Sequence, residues 1–272
     1  MSKHFIHYVN RNVYINKPTK SKIWHSISQK LGQGFDSPVY HVTARKTEIV
    51  EQIKKGDCIW LISELKTPWG KLPPSFDAKI VVSKIDTYKK GKIFWAKPTL
   101  SQWFPLANCN DVLIDLKTEN IKNNIRPLIS DLKAAKSIGI YTQSIRRLHT
   151  AESILNWVDI INKKPLHFIS YRILDGTECA FNKVSELVNN GEVVFWDRWS
   201  LPRRLAERRE KTSGKALNST ILKKIEESSF VWGIESSLYA QEKSYSKREY
   251  EKANELEIYK PVICPPPLSG KH

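Results

Sequence analysis

Among the glutamates of "SYSKREYEKANEL" (244–256), Glu249 stands apart. At helical spacing Tyr245, Glu249, Ala253 and Leu256 share one face, whereas Glu251 and Glu255 point elsewhere. A carboxylate therefore sits on a stripe that is otherwise core-facing. Buried without a partner it is costly, so it requires a basic neighbour, a raised pKa or an opening onto a cleft. A salt bridge to one of the nearby bases is the plain alternative. Two further clusters interrupt apolar runs. "HFISYRILDG" (167–176) ends on Arg172 and Asp175, and "VVFWDRWS" (193–200) carries Trp196, Asp197, Arg198 and Trp199.

The elements that must hold these residues follow from periodicity. After 165, "LHFISY", "EVVFWD", "FVWGIES" and "YKPVIC" read as strands. Helical patterns separate them: Phe181, Val184, Leu187 and Val188 on one face, then Leu217, Ile221 and Ile225, then 245–257. Repeated βα units predict a flavodoxin-like α/β fold, a parallel sheet with helices on both faces. Ligands of such sheets bind beyond the carboxyl ends of the strands, so Arg172, Asp175, Trp196, Asp197 and Arg198 are expected around one crevice. The plain alternatives are a turn or helix N-cap for Asp175, before "TECAF", and a surface salt bridge for Arg172.

The residues before 165 have another texture. Between 39 and 105 the short runs "VYHV", "CIWLI", "AKIVVSKI" and "KIFWA", broken by "TPWGKLPPSFD" and "YKKGK", predict strands. "KTEIVEQIKKGD" predicts a helix that stops at Gly56. Residues 1–126 thus read as a small α+β domain, loosely similar to a PUA-like barrel through Trp60 and "KLPPSFDAKIVV". Residues 127–164 read as a helical segment, with Ala151, Ile154, Leu155, Val158 and Ile161 in the amphipathic pattern, and "NKKP" (162–165) as the boundary. Trp60, Trp69, Trp95 and Trp103 offer either an aromatic pocket or ordinary core.

Charge divides the chain in the same place. The net +16 falls as 27 Lys+Arg against 13 Asp+Glu before residue 166, a net +14, and 17 against 15 after it, a net +2. A field of that sign in the first part suits an anionic partner such as nucleic acid or a nucleotide, or simple solubility. Cys58, Cys109, Cys179 and Cys264 form no Cys-x-x-Cys pair, which points away from a zinc site or disulfide framework and toward a reducing, cytoplasmic setting. No apolar run approaches the roughly 18 residues of a membrane span, and "MSKHFIHYVNRN" has no signal-peptide centre. "TSGKA" (212–216) lacks the first glycine and the final Ser/Thr of a phosphate loop, and "LGQGF" (31–35) lacks the dinucleotide fingerprint.

From 165 onward the sequence resembles a Toll/interleukin-1 receptor (TIR) domain, of the kind found in bacterial anti-phage defence proteins. The family's first box is an apolar strand ending in Ser-Tyr; here it is "FISYRILDG". Its second, a strand ending in Asp before a long loop, is matched by "VVFWDRWSLP". A strand followed by Ser-x-x-Tyr and Ser-x-Trp-x-x-x-Glu is matched by "VWGIESSLYAQEKSYSKRE", with Ser236, Tyr239, Ser244 and Glu249. Pro261 and Val262 supply the Pro-Val of the next strand. Tyr245 departs from the usual tryptophan, and the spacing from Tyr239 to Glu249 is one residue longer than is common.

The resemblance implies an activity. Many TIR domains cleave NAD between nicotinamide and ribose, to ADP-ribose or a cyclic product, using the glutamate that aligns with Glu249. NAD is then substrate, and no cofactor or metal is implied. By the same resemblance Glu249 holds the ribose, Tyr245 stacks near nicotinamide, Arg172 meets the pyrophosphate, Asp175 and Asp197 border the site, and Trp196 and Trp199 lie in its gating loop, where they either shield the site from water or pack under the loop. Self-association through the TIR domain is expected before turnover, with the basic domain sensing an infection-linked trigger. The alternatives are a non-catalytic TIR scaffold and a nucleic-acid binder acting through the basic part. "PRRLAERREK" (202–211) reads as a solvated or assembly face.

Overall fold

The computed structural model describes residues 2–16, 22–27, 37–44, 47–88, 91–173, 175–200, 211–237, 239 and 245–264. The first part contains β1 (His4–Tyr8), β2 (Arg11–Asn16), β3 (Lys22–Ile27), β4 (Tyr40–Thr43), β5 (Cys58–Ser63), β6 (Leu65–Thr67), β7 (Gly70–Lys71), β8 (Ser75–Tyr88), β9 (Gly91–Ala96), β10 (Gln102–Trp103), β11 (Lys117–Glu119), β12 (Ile125–Pro127) and β13 (Arg146–Leu148). They make a nine-stranded mixed sheet in the order β12-β11-β13-β1-β5-β8-β9-β4, with β10 added on β8, and a four-stranded sheet β3-β2-β6-β7.

The central strand shows why. "CIWLIS" of β5 is buried throughout, because Cys58, Trp60 and Ile62 face one core while Ile59 and Leu61 face another. Gly56 precedes it with φ +91°, a conformation that suits glycine, and the helix before it is a single turn, α1 (Glu48–Glu51), capped by Thr47. The four tryptophans do not converge. Trp60 belongs to one core cluster, while Trp69 packs against a second and Trp103 against a third; Trp95 donates its indole N–H to Asp86 at 2.7 Å.

The stretch 127–164 corrects the expectation of continuous helix. It holds β13, which pairs with β1 and β11, and, after α2 (Asn110–Asp115), two short helices, α3 (Leu132–Ala135) and α4 (Ile138–Thr142), before α5 (Glu152–Lys163). The helix that contains Gly139 ends at Thr142, and Arg146–Leu148 fills the place between β1 and β11 in the sheet. In α5 the buried stripe is Ile154, Trp157 and Ile161, packed on Ile6, Trp60 and Phe76; Leu155 is exposed instead. This segment is therefore tied to the large sheet.

The second part has β14 (Leu166–Ser170), α6 (Thr177–Asn189), β15 (Val193–Phe195), the single turn α7 (Asp197–Ser200), α8 (Lys211–Glu226), β16 (Phe230–Glu235), α9 (Tyr245–Glu255) and β17 (Tyr259–Ile263). Its four strands are parallel throughout, in the order β15-β14-β16-β17. Alternation along each strand loads both faces. Ile169, Val194 and Ile234 pack under Ala180, Phe181, Val184 and Leu187 of α6, whereas Phe168, Phe195 and Val231 meet Ile225 of α8 and Ala253 of α9. The fold is thus mixed α/β, a large mixed sheet beside a parallel sheet with helices on both faces. "TSGKA" lies inside α8 and forms no loop. "LGQGF" and most of "PRRLAERREK" lie outside the described residues.

The two parts are stitched together. Leu106 and Val194 exchange two backbone hydrogen bonds of 2.9 Å. The buried guanidinium of Arg11 contacts Asp77 at two points, 2.9 and 2.6 Å, and also donates to the Trp199 carbonyl. The four cysteines are free, and no helix among the described residues is long and apolar enough to cross a membrane.

Candidate functional site

α9 lays its Glu249 and Ala253 against β14, as one helical face must when apolar and packed residues recur every four positions. Leu256 does not continue that stripe. The helix stops at Glu255, Glu257 turns to φ +57° and Leu256 is exposed. Glu249 is 8% exposed and accepts a 2.6 Å hydrogen bond from the hydroxyl of Ser170, the fully buried last residue of β14. No ion pair accompanies it among the described residues; instead Asp197 places a second negative charge nearby. Burial pushes the Glu249 carboxyl up to about 7; the Ser170 hydrogen bond opposes that rise and Asp197 adds to it.

Around this pair the strand ends assemble a network. Tyr239, in the turn after β16, brings its hydroxyl to 3.0 Å from Ser170 Oγ. Tyr259 of β17 reaches across to β16, where it donates to Glu235 at 2.9 Å. Gly233 makes the crossing possible, because a Cβ there would lie 2.1 Å from the Tyr259 hydroxyl. On the other side Tyr171 donates to Asp197 at 2.6 Å and accepts from Arg198 at 2.7 Å. Burial holds the Tyr171 phenol well above its ordinary range, so it stays a neutral donor.

The expected site residues separate into groups. Glu249 and Asp197 do come together beyond the carboxyl ends of β14 and β15. Arg172 is half-buried on the turn after β14. The N-cap of α6 is Gly176; Asp175 accepts from Ser236 at 2.8 Å and Ser237 at 3.0 Å, joining the loops after β14 and β16. Trp196 and Trp199 take the packing alternative rather than the shielding one. Trp196 is fully buried against α6, and Trp199 is 1% exposed, donating to the Phe104 carbonyl under the Arg11 guanidinium. Large rings beside an apolar sheet edge bury too much surface to remain at an opening. α9 begins at Tyr245, whose side chain, like Ser244, lies outside the described residues.

Sequence reasoning missed Ser170, Tyr171, Tyr259 and Glu235 as members of this network. Only the polar pair Ser170-Tyr171 closing an apolar strand carried a signal, since polar residues at a strand's carboxyl end are where such sheets place function. Among the described residues no cluster of three or more His, Cys, Asp or Glu could hold a metal. Chemically, a sequestered carboxylate that titrates near neutrality can hold hydroxyl groups, accept a proton, or stabilise developing positive charge. No family model matches this chain, and no curated protein or solved structure matches it.

Proposed function

We propose that the second part of the chain is a TIR-type, flavodoxin-like domain that cleaves the nicotinamide–ribose bond of NAD, with Glu249 as the catalytic carboxylate. One observation carries this reading: Glu249 is held by Ser170 between the ends of β14 and β16, where the order β15-β14-β16-β17 reverses direction. Such a reversal is where flavodoxin-like sheets bind nucleotides. The resemblance of 165–272 to TIR sequences supplies the substrate.

In the reaction the C1′–N bond breaks and nicotinamide leaves as a neutral base with the bonding electrons, so no strong general acid is required. The ribose develops oxocarbenium character, as in glycoside hydrolysis. Ionised Glu249 accepts hydrogen bonds from the ribose hydroxyls and opposes the positive charge in a site of low dielectric. Water, or an adenine nitrogen for a cyclic product, then takes C1′. Arg172 is the charge-assisted donor to the pyrophosphate and Tyr245 the aromatic face for nicotinamide. Trp196 and Trp199 anchor the end of β15 against α6 and Phe104.

The basic first part, read as PUA-like, is the sensor. A cavity of about 520 Å³ lined by Tyr8, Asn10, Glu64, Lys66 and Lys71 gives an anionic trigger a place to bind. Self-association of the TIR-type domain then switches turnover on. NAD turnover by the purified full-length protein at high concentration, with products separated by chromatography, tests the reading. Loss of NAD in wild type and its absence in folded Glu249→Gln is expected. Equal turnover in both removes Glu249 from the chemistry, and none in either with assembly intact favours a scaffold.

A further inference from the structure

We propose that the cavity at the carboxyl ends of β1 and β5 binds a guanine nucleotide, with Glu64 holding the base and Lys66 the phosphate. Its volume, about 520 Å³, is that of a site able to cover most of such a ligand. Tyr8 closes β1, Glu64 follows β5, Lys66 and Lys71 come from β6 and β7, and Gly139 and Ile140 from α4. The Tyr8 ring packs on Gly139, where a Cβ would lie 3.2 Å from it.

The acid in this lining decides what enters. Glu64 is 2% exposed, and its ion pair among the described residues is with Lys71, 2.6 Å from Oε1. A carboxylate has about four lone-pair sites and one ammonium covers one of them, so acceptor capacity is left over. Burial raises the Glu64 carboxyl, while the Lys71 hydrogen bond and the charges of Lys71 and Lys66 hold it down. A bare anion would draw those lysines to itself and set a like charge beside Glu64. The occupant must therefore bring N–H donors together with its negative charge.

The wall and the rim narrow the choice to a nucleotide. Ile140 lines the cavity yet is 77% exposed, and with the Tyr8 ring it offers apolar surface to a flat heterocycle. Lys66 is exposed at the rim and acts on Glu64 through charge, so its ammonium can turn to a phosphate. Among the bases, guanine presents two adjacent N–H donors, N1–H and N2–H, which one carboxylate accepts together. Adenine, cytosine and uracil each place an acceptor beside the donor. This names a ligand for the cavity assigned above to the sensor; its effect on turnover rests on that reading, its binding does not.

The test is calorimetric titration of the full-length protein with GMP, AMP, guanosine and inorganic phosphate. GMP is expected to bind at least about tenfold more tightly than AMP, and phosphate in about tenfold excess not to displace it. Glu64→Gln replaces two acceptors by an acceptor and a donor, the complement of an adenine edge, so the preference should reverse toward AMP. Equal affinity for GMP and AMP, binding of neither, displacement by phosphate, or a GMP preference that survives in Glu64→Gln overturns the site. Should that variant fail to fold, Lys66→Ala, at an exposed position, decides. GMP weakened about fivefold or more with guanosine unchanged supports the site; equal loss of both, or loss of neither, overturns it. GMP that binds without altering NAD turnover keeps the site and retires the sensor reading, and NAD cleavage by a protein that does not bind GMP retires the site and keeps the NAD reading.

Discussion

Two buried carboxylates, Asp77 and Glu249, occupy opposite kinds of environment. Asp77 lies at the junction of the two parts, 1% exposed, and meets Arg11 through two contacts of 2.9 and 2.6 Å. Burial raises the Asp77 carboxyl and lowers the Arg11 guanidinium from their ordinary values, and the two-point contact pulls each back toward its charged form. Glu249 has a hydroxyl in place of a guanidinium and a like charge in place of an opposite one. The difference separates a clamp from a reactive group. Where burial is matched by a counter-charge the carboxylate is fixed; where it is not, the carboxylate is free to change state near neutral pH.

Breaking the clamp has the largest expected effect. Asp77→Ala leaves Arg11 buried without its counter-charge, and we expect it to cost about 3–5 kcal/mol in denaturant unfolding. Removing both charges together, with Arg11→Met and Asp77→Leu, should recover most of that loss.

Glu249 yields a pH signature of opposite sign to a paired acid. Burial pushes its folded carboxyl up to about 7, above the ordinary 4.5, so between those values the native state binds more protons than the unfolded chain. Stability then falls as pH rises through that window and levels off above it, by at most about 3 kcal/mol. Glu249→Gln should lack this decline, which thermal or denaturant unfolding from pH 4 to 9 will read. Tyr171→Phe, which strips Asp197 of a donor and Arg198 of an acceptor, should cost about 1–3 kcal/mol in the same assay. Lys252→Ala removes exposed pairs with Glu226 and Glu255 and should leave the unfolding midpoint unchanged in the same assay.

Much of the second part was legible because its signals are local. Runs such as "FVWGIE" alternate faces, and Phe181, Val184, Leu187 and Val188 repeat at the helical period, so strands and helices could be placed from neighbours in sequence. The odd carboxylate at 249 was visible for the same reason. Its partners were not, since Ser170 lies 79 residues away and Asp197 acts through space. Trp196 and Trp199 could be read either way because an aromatic at a strand end suits a lid and a core equally well until the packing of Phe104 and α6 is known. The stretch 127–150 misled because β13 is held by pairing with β1 and β11, and three residues carry too little pattern to announce a strand.

The claim that Glu249 is a sequestered carboxylate acting in its ionised form meets its most direct test in the pH dependence of kcat/KM for NAD, measured on the full-length protein. We expect a rate that climbs with pH and levels off above about 7, and no such limb in Glu249→Gln. A profile flat from pH 5 to 9 in wild type, or the same limb surviving in the variant, would contradict it.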